Sequence, residues 1–286
     1  SDGIMSSLEN ANSSRATEAY YRVIEICSGI KADNETKYSA LLRRYEIVTS
    51  NPYPFKDYIL NYPINILYAL TECCLALNKT DEAELYMKIL YNEVVREKFS
   101  VEDFEIFREY LHLRIYLKKG EINKAVDLIP RLEGILLKYR DKLQIDTELS
   151  ILYHITICRI EEKNFTKALT AANKLLEHPL LEKRSDYECY IRILYLVIHF
   201  ELKNYDLLRH LLLRTYRYLR KHEKLFKTEQ LIIEFIRKLQ NVTTDEDLNF
   251  NFRSLSKKLS KLKNDKYEKN AFEYFDLLKW VNEKIM

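Results

Sequence analysis

The 286 residues suffice for one elongated repeat domain or two compact ones, and an apolar content of 47% supports a packed core and argues against wholesale disorder. Only four glycines (Gly3, Gly29, Gly120 and Gly134) and five prolines interrupt the chain. An α/β enzyme of this length would carry roughly 20 glycines, and the same scarcity excludes glycine-rich phosphate loops. The net charge of +3 is unevenly spread: residues 203–266 hold 16 Lys or Arg against 8 Asp or Glu, and the remainder holds 30 against 35.

Residues 1–13 (SDGIMSSLENANS) are small and polar and read as a flexible start, and the Ser-Asp-Gly opening reads as trimmed. From residue 14 to 222 charged residues alternate with apolar ones at spacings of three and four, as in the stripe Leu67, Leu70, Cys74 and Leu77. The pattern predicts tandem helix pairs: 14–30 with 35–50, 58–77 with 80–98, 101–118 with 121–140, 146–161 with 164–177, and 185–202 with 204–222. Pro52 and Pro54 fall in the connection SNPYPF, Pro63 lies near a helix start, and Pro179 follows a helix end. Pro130 falls inside 121–140, which predicts a kink or a shifted boundary. Beyond 222 come helices at 226–240, at 246–263 (capped by Thr244 or Asp245) and at 267–285. The last carries Phe272, Phe275, Leu278 and the only tryptophan, Trp280, so residues 223–286 are expected to cover the open end of the hairpins. No stretch reaches 18 uninterrupted apolar residues, so no membrane span is predicted.

One short phrase recurs: Asn78-Lys-Thr-Asp-Glu-Ala83, Gly120-Glu-Ile-Asn-Lys-Ala125, Lys163-Asn-Phe-Thr-Lys-Ala168 and Lys203-Asn-Tyr-Asp-Leu-Leu208. Its closing residues stand 42, 43 and 40 apart, with a fainter copy ending at Ala40. Each period holds two helices, hence one hairpin per repeat. At this phrase the chain resembles the tetratricopeptide repeat. Gly120, Ile122 and Ala125 match that family's turn, as do Phe165 with Ala168, and Tyr205 matches its aromatic while Leu208 replaces the alanine. Leu67 and Leu70 before Cys74, and Leu152 and Ile155 before Thr156, fall at the family's first-helix apolar positions. The period is longer than the family's, and its first-helix glycine is missing. The resemblance covers about residues 60–222; the segments NYDLLRHLLLRTYRYLRK and AFEYFDLLKWVNEKI also resemble the ends of uncharacterised bacterial helical-repeat proteins. It implies an all-α fold, a right-handed α-solenoid of antiparallel helix hairpins whose first helices line a concave groove. The groove residues it implies are Tyr68, Glu72, Tyr110, Arg114, Tyr153 and Tyr190.

Reactive chemistry is sparse. The five cysteines (Cys27, Cys73, Cys74, Cys158 and Cys189) form no CxxC pair and sit mostly in apolar text, which suits reduced, core-filling thiols in the cytoplasm. No two of the six histidines stand four apart. His154 and Cys158 do share a helix face, a spacing that zinc or a packed interior both use; the packed interior is preferred. No nucleophile elbow or Lys-Ser/Thr phosphate loop appears. The expectation is no catalytic residue, no metal and no cofactor.

The sequence therefore predicts a non-catalytic scaffold that binds a peptide or helix of another protein. The alternative is nucleic acid or another acidic partner on the basic helices of 203–266. There Arg214, Arg217, Lys221 and Lys224 recur at three and four along one face, and Lys257, Lys258, Lys261 and Lys263 form a second cluster. Tyr216 and Tyr218 interleave with the arginines but point away from that stripe. An enzyme of unfamiliar type is the third reading. A weak first repeat would leave an apolar end exposed, which makes a second copy of the chain another expected partner.

Overall fold

The computed structural model describes residues 33–50, 62–96, 101–139, 143–239, 242, 244–263, 265, 268, 271–272 and 275–285. It is all-α, and no strand occurs among the described residues. Among the described residues the α-helices are, in order, α1 (Asn34–Ser50), α2 (Tyr62–Ala76), α3 (Thr80–Arg96), α4 (Val101–Lys119), α5 (Ile122–Lys138), α6 (Ile145–Glu161), α7 (Phe165–Leu176), α8 (Ser185–Glu201), α9 (Tyr205–Lys221), α10 (Lys227–Leu239), α11 (Asp245–Leu262) and α12 (Leu277–Asn282). A 3₁₀ turn, Leu181–Lys183, precedes α8. Contacts divide the chain into two compact units, Ser1–Ile135 and Leu136–Met286. Within each compact unit neighbouring helices pack on one another, α1 on α2, α2 on α3 and α3 on α4 in the first, and α6 on α7, α7 on α8 and α8 on α9 in the second, as in a helical-repeat solenoid.

The recurring phrase is a helix C-cap. Asn78, Gly120, Lys163 and Lys203 each take a left-handed backbone conformation, with φ of 57°, 73°, 61° and 58°. At each, two backbone bonds close the end of the first helix. At Lys163 its own N–H donates to the Ile160 carbonyl at 2.8 Å and the Asn164 N–H to the Arg159 carbonyl at 3.0 Å; the other three repeat the pattern. This reversal satisfies carbonyls the helix leaves orphaned and turns the chain back on itself. The following residue opens the second helix. Its carbonyl accepts from Ala83, Ala125, Ala168 or Leu208, all fully buried. A methyl group at that position lets the two helices of a hairpin approach closely, and only Leu208 fills the space with a larger side chain.

In the first unit, α1 lies on α2 through Leu41, Ile47 and Val48 against Ile66, Leu70 and Cys73. A second cluster joins α2, α3 and α4 through Leu67, Cys74, Leu90, Leu111 and Ile115, each burial contributing about 2 kcal/mol. α2 and α4, the first helices of adjacent hairpins, also touch directly. Lys119 ties two hairpins together, with Asp81 at 3.0 Å and Glu84 at 2.9 Å. The expected helix at 14–30 lies outside the described residues. Of the two outcomes expected at Pro130, a kink or a shifted boundary, the boundary does not shift: α5 runs through it, held by buried Ile129, Leu132 and Ile135, with Pro130 on the exposed side.

In the second unit α8 is central and packs on α6, α7, α9 and α10. Apolar residues cover almost its whole circumference, as burial on several sides requires. α10 and α11 form the next pair. Glu268 caps α10 from far along the chain, accepting from the Lys227 and Thr228 N–H groups at 3.0 and 2.9 Å and from Thr228 Oγ1 at 2.8 Å. Thr244 caps α11 through the Asp247 N–H, as the sequence suggests. The single helix expected over 267–285 is interrupted. Phe275 and Asp276 are not helical, and the Asp276 carboxylate accepts from the Lys279 N–H at 2.9 Å to start α12 afresh. Trp280 is buried, edge-on to Phe200 and Phe252 at 6.1 and 6.0 Å, and its indole N–H donates to Glu201 at 2.7 Å.

Candidate interaction surfaces

Four of the groove residues implied by the sequence meet at one place. Tyr68 and Glu72 stand one turn apart on α2, and Tyr110 and Arg114 stand one turn apart on the neighbouring α4. Arg114 Nη1 donates to Glu72 Oε1, and its guanidinium lies 5.4 Å from the Tyr110 ring centre. Tyr68 meets Phe107 edge to face at 5.5 Å. Tyr110 is buried and serves as the floor under Arg114, so its ring offers a partner no surface. Tyr68, Glu72 and Arg114 remain partly exposed.

The other two groove residues separate in the second unit. Tyr153 on α6 is 1% exposed, edge-on to Tyr187 at 5.7 Å, and belongs to the core rather than to a surface. Tyr190 on α8 is half-buried and lines a cavity of about 110 Å³ together with Asp186, Cys189, Lys224, Glu229 and Glu268.

The basic patch is split. Arg214, Arg217 and Lys221 are exposed on the outer side of α9, joined there by Arg209 and Arg220, which the sequence stripe omits. Lys224 is not on that face. Glu223 takes a φ of 55° after the helix ends, and the chain turns so that Lys224 lines the cavity. None of the five exposed cations has an ion-pair partner among the described residues. Lys257, Lys258, Lys261 and Lys263 are exposed at the end of α11 and just beyond it.

The reactive side chains are occupied. Cys73, Cys74, Cys158 and Cys189 are free and buried; burial pushes the Cys74, Cys158 and Cys189 thiols up to about 12, far from the thiolate a nucleophile needs. Cys27 lies outside the described residues. His154 Nδ1 donates to the Ser150 carbonyl at 2.8 Å, a bond within its own helix. His199 is buried on α8. Asn204 donates to its Nδ1 at 3.0 Å, so Nε2 carries the proton and faces no acceptor, and burial holds the ring below the usual imidazole pKa. Glu229 is the most perturbed carboxyl: burial first, then the neighbouring Glu268 charge, raises it to about 7. Its Oε2 accepts the Phe226 N–H at 3.1 Å, so its position serves the start of α10. Among the described residues no three His, Cys, Asp or Glu side chains gather as a metal site, and no helix is long and apolar enough to cross a membrane.

The fold and these surfaces define a class, a helical-repeat protein with side chains aligned across successive hairpins. Comparison with known proteins takes this no further: no family model, no curated protein and no solved structure matches the chain.

Proposed function

We propose that the chain is a non-catalytic scaffold that holds a segment of another protein against its row of first helices. In this reading the hairpins form a right-handed, tetratricopeptide-like superhelix with those helices lining its concave side. One observation supports it above others. Within each unit the first helices touch across the repeat, α2 with α4, α6 with α8, and α8 with α10. Side chains at equivalent positions therefore line up, as the Glu72–Arg114 pair does, and an extended row of such positions suits a peptide better than a small substrate. The buried, unreactive cysteines fit a reducing compartment, so the proposed site of action is the cytoplasm.

Affinity capture from native lysate at low and moderate salt, with nuclease-treated controls and a Glu72→Lys chain, tests this reading. A discrete protein retained at moderate salt, indifferent to nuclease and lost with Glu72→Lys, is the expected result. Recovery of nucleic acid alone, vanishing with salt, would move the function to the basic helices.

A further inference from the structure

The exposed positions of α9 carry a larger excess of positive charge than those described on α3, α5 or α7, where α7 exposes Lys167 and Lys174 without an acid. Among the described side chains of α3 the exposed ones are Asp81, Leu85, Lys88 and Asn92, where one acid stands against one base. On α5, Lys124, Arg131 and Lys138 stand beside Asp127 and Glu133. Lys124 there is tied to Glu121 at 2.8 Å, and Arg131 to Glu105 at 2.7 Å. On α9, Arg209, Arg214, Arg217, Arg220 and Lys221 face solvent with Asp206 as the only exposed acid, and none of the cations is paired among the described residues. The helix dipole accounts for Arg220 and Lys221 in the last turn, as it does for Lys261 on α11. It does not account for Arg209, Arg214 and Arg217, which lie before that turn.

Packing does not require this face either. α9 buries Leu208, Leu212, Thr215 and Leu219 on its inner side. Leu207 and Leu213 remain 45% and 46% exposed among the arginines. Leu207, His210, Arg214, Arg217 and Lys221 recur at three and four, so leucine and cations share one stripe about 21 Å long.

We infer that the outer face of α9 docks an acidic amphipathic helix of a partner protein, its carboxylates on the arginines and its apolar side chains over Leu207 and Leu213. This rests on the scaffold reading and adds to its first-helix row a second face, on a second helix, with a stated partner chemistry. Phosphate needs the cations alone and gains nothing from half-exposed leucines. Tyr218, which interleaves with the arginines, is already engaged: it lies under Arg192 at 4.2 Å and stacks on His222 at 4.3 Å, so that ring is not a free base-stacking platform.

The test uses the full chain and a fluorescent peptide of about 18 residues, long enough to match α9, with leucine at helical spacing and glutamate elsewhere. A second peptide of equal charge has serine for leucine, and a single-stranded oligonucleotide of similar length is the third probe. Anisotropy at about 150 mM salt, where exposed charges are screened beyond about 8 Å, gives the affinities. The leucine peptide should bind the wild-type chain. Arg214→Glu with Arg217→Glu, and separately Leu213→Ser, should each weaken it about tenfold or more, as loss of a hot spot does, with melting curves unchanged because all three positions are exposed. Equal binding of the two peptides, absence of binding, or an oligonucleotide that binds tightly and ignores Leu213→Ser would each overturn the inference. Repeating the affinity capture with the double arginine variant separates the two proposals. A partner kept by that chain but lost with Glu72→Lys preserves the scaffold reading and removes α9 from it. A partner lost with the arginine variant alone assigns it to α9.

Discussion

Replacing Lys203 by glycine should make the chain more stable, although it deletes a side chain. Lys203 closes α8 with a φ of 58°, a conformation that costs an L-residue about 1–2 kcal/mol and glycine almost nothing. Glycine brings its own penalty, roughly 0.5–1 kcal/mol of extra freedom in the unfolded chain. The expected net gain is therefore about 0.5–1 kcal/mol. Lys203 is exposed, so its side chain offers little to lose. Lys163→Gly is a less clean version, since Lys163 lies 3.3 Å from Glu283, but both partners are well exposed and the pair is worth little. Gly120 tests the reverse. Its φ is 73° and an added Cβ would meet no atom within 4 Å, so Gly120→Ala carries only the conformational cost, about 1 kcal/mol or slightly more. Urea titrations followed by helical circular dichroism give each ΔG, with unchanged m-values showing that only stability moved. Lys203→Ala is the control, and it should not stabilise. If Lys203→Gly lowered stability as much as Lys203→Ala, or Gly120→Ala were neutral, the left-handed caps would not be what builds the repeat.

Three further outcomes follow from particular residues. Glu229 holds its proton in the folded chain up to about pH 7 but in the unfolded chain only to about 4.5, so folding takes up a proton in that window and stability falls as pH rises through it. Glu229→Gln should remove this loss, gaining about 2–3 kcal/mol over wild type between pH 5 and pH 8 at about 1.4 kcal/mol per pKa unit; denaturant midpoints with parallel pH dependence would refute it. Pro130 lies inside α5, has no N–H for the helix ladder and is exposed, so Pro130→Ala should stabilise by about 1–3 kcal/mol, and a lower melting temperature would count against a continuous α5. Glu201 accepts from the Trp280 indole at 2.7 Å and from Lys284 Nζ at 2.7 Å. Glu201→Ala should cost about 1–3 kcal/mol and shift the emission of the only tryptophan; an unchanged spectrum and stability would mean the bond is not formed.

The hairpin order was legible in the sequence because the turn phrase returns at nearly fixed intervals, and its spacing of 42, 43 and 40 also separates Asn78, Gly120, Lys163 and Lys203. The physical device was not legible. A left-handed residue is advertised by Gly120 but hidden when it is lysine, whose side chain gives no hint of φ. Of the kink or shifted boundary expected at Pro130, the boundary does not shift, because buried Ile129, Leu132 and Ile135 hold α5 through a local breaker. The interrupted last helix was invisible because Asp276 acts as a cap only in the folded geometry. Groove residues were harder than the basic stripe. α6 is packed on several sides and buries Ile151, Leu152, Tyr153, Ile155, Thr156, Ile157 and Cys158 in close succession, so its periodicity does not mark which tyrosine reaches a surface. α9 buries one narrow face, which made Arg214, Arg217 and Lys221 readable as exposed and left Lys224, beyond Glu223, as the error.

Site-specific photo-crosslinking in cells tests the scaffold reading most directly. A benzophenone side chain would replace Tyr68 on the first-helix row and, as control, Leu85 on the outer side of α3, which is 54% exposed. The account predicts a discrete protein adduct from position 68 and none from position 85. Equal labelling at both positions, or adducts to nucleic acid alone, would contradict it.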